Sequence, residues 1–375
     1  MHRSVFLSAI AAYLAVSIFR VGSAGAAETS APPVGEWEKT VAAAKKEGVV
    51  SVYLWQGGNL ERAVQVFQKK YPEIRLSLVG GRGSGFILRI ATEIRAGKHL
   101  ADTCICGVTS PYKILYEQLK AFDPIKSTFI LPEVKDESKW WQGKHHFQDP
   151  EGKYIFAYRG DPAGTRTFYN TQLVNPKEFK SYWDLLNPKW KGKMIAIDPN
   201  ESSGGWRIFY YNPQIGPEFL RRLFGEMDLT LSRDDRQSAN WLAVGKFALG
   251  FFLTGITEGK GQGLPVDELS QHNMKEPPAL YTGPNGTIAL LKNAPHPNAA
   301  KLFINWFLSR EGQTAFQEIM NTPLDQVESM REDIPKDPVP SEYRRRSGVD
   351  YVPMFTPERM DSTPLLKLFK ETYKR

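Results

Sequence analysis

The sequence predicts an α/β fold of mainly parallel sheets covered by helices, in about two domains. Three observations carry that expectation. Apolar runs of strand length alternate with stretches of helical spacing from residue 36 to residue 119, the pattern of strand–helix–strand units. A second α/β stretch occupies roughly residues 170–275. The length, 375 residues, suggests about two domains at roughly 150 residues each.

The chain opens on a predicted export signal, residues 1–26. His2 and Arg3 precede an apolar stretch, Val5 to Phe19, and Ala24-Gly25-Ala26 offers a small-x-small cleavage pattern. The apolar stretch has 15 residues, short of the roughly 20 a membrane span needs. A periplasmic location follows as the expectation. Glu36 to Glu47 then reads as a helix stopped by Gly48, and Val49 to Trp55 (VVSVYLW) as a buried strand. Leu60 to Lys70 resumes helical spacing, and Ile74 to Val79 is a second strand. Gly80 to Gly85 is a glycine-rich turn before a helix from Phe86 to Ala96. Thr103 to Cys106 is a third strand, followed by a helix from Pro111 to Leu119.

Residues 132–153 read as a polar, aromatic surface excursion, with His145 and His146 at the surface. Ile155 to Tyr169 is extended. Ser181 to Leu186 is a short helix, Lys193 to Ile197 a strand, and a helix follows from Trp206. Arg236 to Val244 is helical, and Phe247 to Leu253 is an apolar strand. Ala279 to Leu291 is extended, and Ala299 to Asn321 reads as one amphipathic helix. The Pro-rich tail from Asp333 ends in a helix, Thr363 to Tyr373.

Composition narrows the function. The chain is 41% hydrophobic and 24% charged, so a packed core is expected rather than disorder. The net charge of +7 is mild and scattered, with one run at Arg344-Arg345-Arg346. A nucleic-acid partner is not expected, since that calls for a basic stripe. Two cysteines exclude a multi-disulfide scaffold. Cys104 and Cys106 share one face of a strand about 6.6 Å apart. That is long for a bridge, whose Cβ atoms want about 3.8 Å, so two buried thiols are expected. No GxSxG, no HExxH and no paired general acid and base are present, so no enzyme activity and no cofactor are expected.

Three segments carry a resemblance. Thr282 to Gln313 (TGPNGTIALLKNAPHPNAAKLFINWFLSREGQ), Ser181 to Ile197 (SYWDLLNPKWKGKMIAI) and Tyr169-Asn170-Thr171 occur in one order along the chain. Together they resemble the extracellular solute-binding proteins of ABC transporters, in the branch that holds the ferric-ion-binding proteins. The resemblance implies a type II periplasmic binding fold of two lobes with two hinge crossovers. These would lie near Arg166 to Tyr169 and near Pro277 to Tyr281. The lobes would be residues 35–166 with 280–325, and 167–279 with 326–375. It also implies a monomer that captures a small solute by hinge closure and delivers it to an ABC permease.

The cleft residues argue for an anionic organic solute. Ferric-binding relatives typically supply a tyrosine pair, yet Gly250 to Gly255 holds no tyrosine. Tyr210-Tyr211 falls earlier, on the helix after Ser203. Hard ferric ion wants anionic oxygen ligands, so iron is disfavoured. The expected binding residues sit at strand ends, where open sheets place ligands. They are Trp55 and Gln56 after the first strand and Arg82, Gly83 and Ser84 in the glycine-rich turn. Thr109 follows the third strand. In the second lobe they are Ser202, Ser203, Arg207, Arg236, Phe251 and Thr254. Backbone N–H groups at helix starts, hydroxyls and guanidinium groups suit a carboxylate, a phosphate or phosphonate, or a sulfonate. No metal ligand set is expected. A polyamine is disfavoured because the strand ends lack acids. Rival expectations are a ferric-ion carrier, a secreted enzyme on the same fold, and a sensor subunit for a receptor kinase.

Overall fold

A computed structural model describes residues 34–56, 59–81, 85–163, 166–283, 285–322 and 325–374. The expected export signal and Arg82, Gly83 and Ser84 lie outside these residues.

The first sheet grows from β1 (Val49–Trp55), whose five central residues are buried. An uninterrupted apolar strand is what a sheet covered on both faces requires. β1 runs parallel to β2 (Arg75–Gly81) on one side and β3 (Thr103–Cys106) on the other. β13 (Thr287–Leu291) closes onto β3 in antiparallel register, Thr287 opposite Cys106. It also pairs with β4 (Phe122–Asp123) and β5 (Ile155–Ala157). The helices of this lobe are α1 (Val34–Glu47), α2 (Leu60–Lys70), α3 (Gly85–Arg95), the single turn α4 (Pro132–Lys135), α9 (Pro297–Leu308) and α10 (Arg310–Met320). Phe67 of α2 meets Phe303 and Trp306 of α9 edge-on at 5.2 and 5.4 Å. Residues far apart in sequence thus share one core.

The second sheet has the order β11-β7-β10-β8-β9. β8 (Met194–Ile197), β9 (Thr230–Ser232) and β10 (Leu249–Phe251) are parallel, and β7 (Thr167–Asn170) runs against β10 and β11 (Val266–Glu268). Its helices are α5 (Gly204–Tyr211), α6 (Gly216–Glu226), α7 (Asp235–Ala243) and α8 (Ile256–Gly261). Trp206 is fully buried here and donates its ring N–H to the Ile197 carbonyl at 3.0 Å.

The two lobes are joined by a third, small sheet. β6 (Asp161–Ala163) and β12 (Ala279–Tyr281) are antiparallel, and each runs from one lobe to the other. The second crossover lies where the sequence placed it; the first is centred about five residues earlier than expected. β14 (Val352–Pro353) adds to β12 in parallel, so the tail contributes a strand to the hinge.

Several expectations need correction. The helix drawn from Ala299 to Asn321 is two helices, broken at Ser309. Its backbone is extended there, and its hydroxyl accepts the Gly312 N–H at 3.2 Å as an N-cap. The strand at 247–253 is shortened to β10, because Phe252 takes φ +60 and leaves the ladder. Residues 132–153 are not a surface excursion. Trp140 is 1% exposed and His146 6%, and Asp149 accepts three backbone N–H groups, from Lys153, Tyr154 and Ile155. The tail does not belong to the second lobe as a whole. Val327, Met330, Tyr351, Phe355 and Met360 pack in the first core. Leu365, Leu368 and Phe369 join the second, with Tyr373 packed against it. Cys104 and Cys106 are free thiols at full burial, as expected, with sulfur atoms 3.2 Å apart.

Candidate functional site

Parallel strands end at one sheet edge, and each lobe presents such an edge. In the first lobe the edge runs through Trp55, Gly81 and Cys106. Trp55 is half-buried against the first core, and Gln56 is exposed beyond it, with its N–H donating to Gly81 at 2.7 Å. Gly81 allows α3 to start directly beneath the edge: a Cβ there would stand 2.3 Å from that of Phe86. Thr109 is half-buried at the start of the helical segment Pro111–Gln118.

The second edge follows β8, β9 and β10. Ser202 is exposed and Ser203 half-buried just before α5. The Ser203 hydroxyl lies 2.7 Å from that of Ser362, so it is already engaged by the tail. Phe252 leaves β10 at positive φ and lays its ring over the start of α5. A Cβ on Gly205 would meet that ring at 2.0 Å. Thr254 and Arg236 are exposed. Asp234 caps α7 by accepting the Gln237 N–H at 2.9 Å. Phe251 is fully buried, in contact range of Trp206 and Phe209, so it is a core residue and not a ligand contact.

Sequence reasoning missed acids at this edge. Asp198 follows β8 directly and Glu201 is three residues on; Arg233, after β9, pairs with both at 3.7 and 3.3 Å. One cation between a half-buried and an exposed acid leaves one net negative charge. The signal was present in sequence, since Asp198 and Arg233 each sit one residue past a strand.

Arg207 differs from the other candidates. It is 6% exposed. Its Nη1 donates to the Arg359 carbonyl at 3.2 Å, and its Nε has no partner. Among the described residues it makes no ion pair. Burial pulls its pKa below the usual guanidinium range, opposed only in part by Tyr281, Tyr211 and Asp361 nearby. Tyr210 and Tyr211 face each other at 5.0 Å, and the Tyr211 hydroxyl donates to the Asp361 carbonyl at 2.7 Å. The Tyr211 hydroxyl is thus already engaged by the tail. Among the described residues no group of three His, Cys, Asp or Glu side chains could hold a metal. Two surface cavities, about 260 and 360 Å³, lie by the second crossover and between residues 141–152 and the tail. Neither is lined by an expected binding residue.

Residues 53–314 match the family described as bacterial extracellular solute-binding protein. The chain belongs to that family. Solved structures show that the chain has a type II periplasmic binding fold. The Trichodesmium protein IdiA (FutA), solved with iron and citrate ligands, is 17% identical. It covers 86% of this chain and 98% of its own, at TM-score 0.59. AfuA from Actinobacillus pleuropneumoniae, solved with fructose-6-phosphate, is 19% identical over 86% of this chain and 97% of its own, at TM-score 0.50. Among curated proteins, iron uptake protein A2 of Synechocystis is 23% identical over 62% of this chain and 72% of its own. At these identities the structural likeness speaks for the fold. Members of the family bind small solutes and work with ABC permeases, and none of the described helices is long and apolar enough to cross a membrane.

Proposed function

We propose that the protein captures a small anionic organic solute between its two sheet edges in the periplasm and presents it to an ABC permease. The observation that carries the anionic class is Arg207. A buried guanidinium without an ion-pair contact costs free energy that an arriving anion recovers. It stands one helical turn into α5, behind the Ser202-Ser203 approach, where backbone N–H groups and hydroxyls add donors. The solute is a carboxylate, a phosphate or phosphonate ester, or a sulfonate. Arg82 and Ser84 remain candidate donors from the first lobe, with Trp55 for an organic body to rest on. Capture involves no covalent chemistry, and the captured form is monomeric.

Iron is the reading that named relatives would suggest. Gly250 to Gly255, where the resemblance expects a tyrosine pair, holds no tyrosine, and the Tyr211 hydroxyl is spent on a backbone carbonyl. Native mass spectrometry of protein exported with its own leader and purified without dialysis distinguishes the readings. A bound organic anion released on denaturation is expected. A stoichiometric iron adduct without organic mass overturns the anionic class.

A further inference from the structure

The tail links the two lobes a third time, and it does so at the cleft. On the first lobe, Tyr351, Phe355 and Met360 are buried in the core. The Gln148 side-chain amide donates both to the Met360 sulfur, at 2.7 Å, and to the carbonyl of Val108, just past β3. In the hinge, Val352 N–H donates to Pro278 at 2.9 Å and Met354 N–H to Leu280 at 2.8 Å, seating β14 on the second crossover. On the second lobe, the next residues hold α5. Arg359 and Asp361 offer carbonyls to Arg207 and Tyr211, and Ser362 meets Ser203. Leu365 is then fully buried in the second core.

The geometry points to a strap. We infer that residues 351–363 form a third hinge element whose contacts with Ser203, Arg207 and Tyr211 limit how far the cleft opens. Met360 is fixed in one core and Leu365 in the other, five residues on. A chain of five residues spans at most roughly 18 Å when fully extended, and less where α12 (Thr363–Thr372) is already helical. The two crossovers alone set a bending axis. The strap adds a tether off that axis, on the side of β3 and α5. Opening beyond its slack must break the Ser203–Ser362 and Tyr211–Asp361 bonds or pull Met360 out of the single turn α11 (Pro357–Met360). The same contacts hold Ser203 and Arg207 in place, so solute binding and strap position are coupled.

The inference rests on the two-lobe fold and not on the solute class, so its test uses ligand-free full chain. Spin labels on Lys69→Cys and Lys191→Cys report the distance between lobes; both positions are exposed, and the native thiols are fully buried. Tyr211→Phe with Ser362→Ala removes two strap bonds and leaves both cores intact. A Gly-Ser insertion after Met360 lengthens the chain between the two anchored residues, Met360 and Leu365. In pulsed dipolar spectroscopy each change is expected to broaden the distance distribution and move it to longer values. Distributions that superimpose on the parent in both variants overturn the strap.

Discussion

In the proposed function Arg207 carries the choice of solute, because its guanidinium is buried without an ion-pair partner among the described residues. Replacing a buried, unpaired charge by an apolar side chain of similar length is often neutral or stabilising. Arg207→Met is therefore expected to keep or raise the melting temperature of the free protein, read by calorimetry. A large drop would mean that the guanidinium is structural. Gly205 is a second residue with a sharp requirement. A methyl there enters the Phe252 ring, so Gly205→Ala is expected to cost about 1–3 kcal/mol in chemical denaturation. Gly205→Ala with Phe252→Ala should show strong coupling in a double-mutant cycle, since the clash needs both. His146 titrates where the fold has no room for charge. Burial pushes its imidazole down to about 4, opposed by the Trp141 carbonyl that holds its Nε2 at 2.8 Å. The unfolded chain takes a proton near 6.5 and the folded chain does not, so this residue withdraws stability as pH falls from about 6.5 to about 4. The loss approaches about 3 kcal/mol. His146→Gln, which can still donate to Trp141, should flatten that part of the pH dependence. An unchanged slope would place the titration elsewhere.

At the level of elements, how much the sequence discloses depends on how local the deciding force is. β1, α2, α3 and β3 were legible because apolar spacing and a flanking glycine or proline are local signals. The break at Ser309 was not legible, since Ala299 to Asn321 keeps one apolar stripe throughout. Only the cap geometry shows that Ser309 starts a new helix, with its hydroxyl also donating to Trp306 at 2.6 Å. Ser309→Ala is expected to cost about 1 kcal/mol, measured as a shift in the denaturation midpoint. The early end of β10 was hidden as well. Phe251 and Phe252 look alike in sequence, and the positive φ of Phe252 comes from its packing over Gly205 and Trp206. The site was half legible. The place of Ser203 before a helix and of Arg207 within it was legible. The Asp198–Arg233–Glu201 group was overlooked, and the tail contacts were not legible, because Ser362 lies 159 residues from Ser203.

On the scale of the whole molecule, two discontinuous lobes meet at a three-stranded hinge sheet. The tail completes that sheet before crossing to the second core. Phe369 reaches Phe224 at 5.1 Å there, which fixes the end of the chain to α6. Truncation after Thr356 should therefore unfold the second lobe preferentially, seen as a biphasic melt where the full chain melts once. The measurement that bears most directly on the account is ligand-induced thermal shift, run side by side on the parent and Arg207→Met. The panel is organic carboxylates, sugar phosphates, phosphonates, sulfonates, polyamines, and ferric ion with and without carbonate. A ligand at 100 times its dissociation constant adds about 2.7 kcal/mol, and a protein of this size gains roughly 2–4 °C per kcal/mol. A shift of several degrees with an organic anion, lost in Arg207→Met, is the predicted result. A shift with ferric ion alone, or one that Arg207→Met leaves intact, would contradict the account.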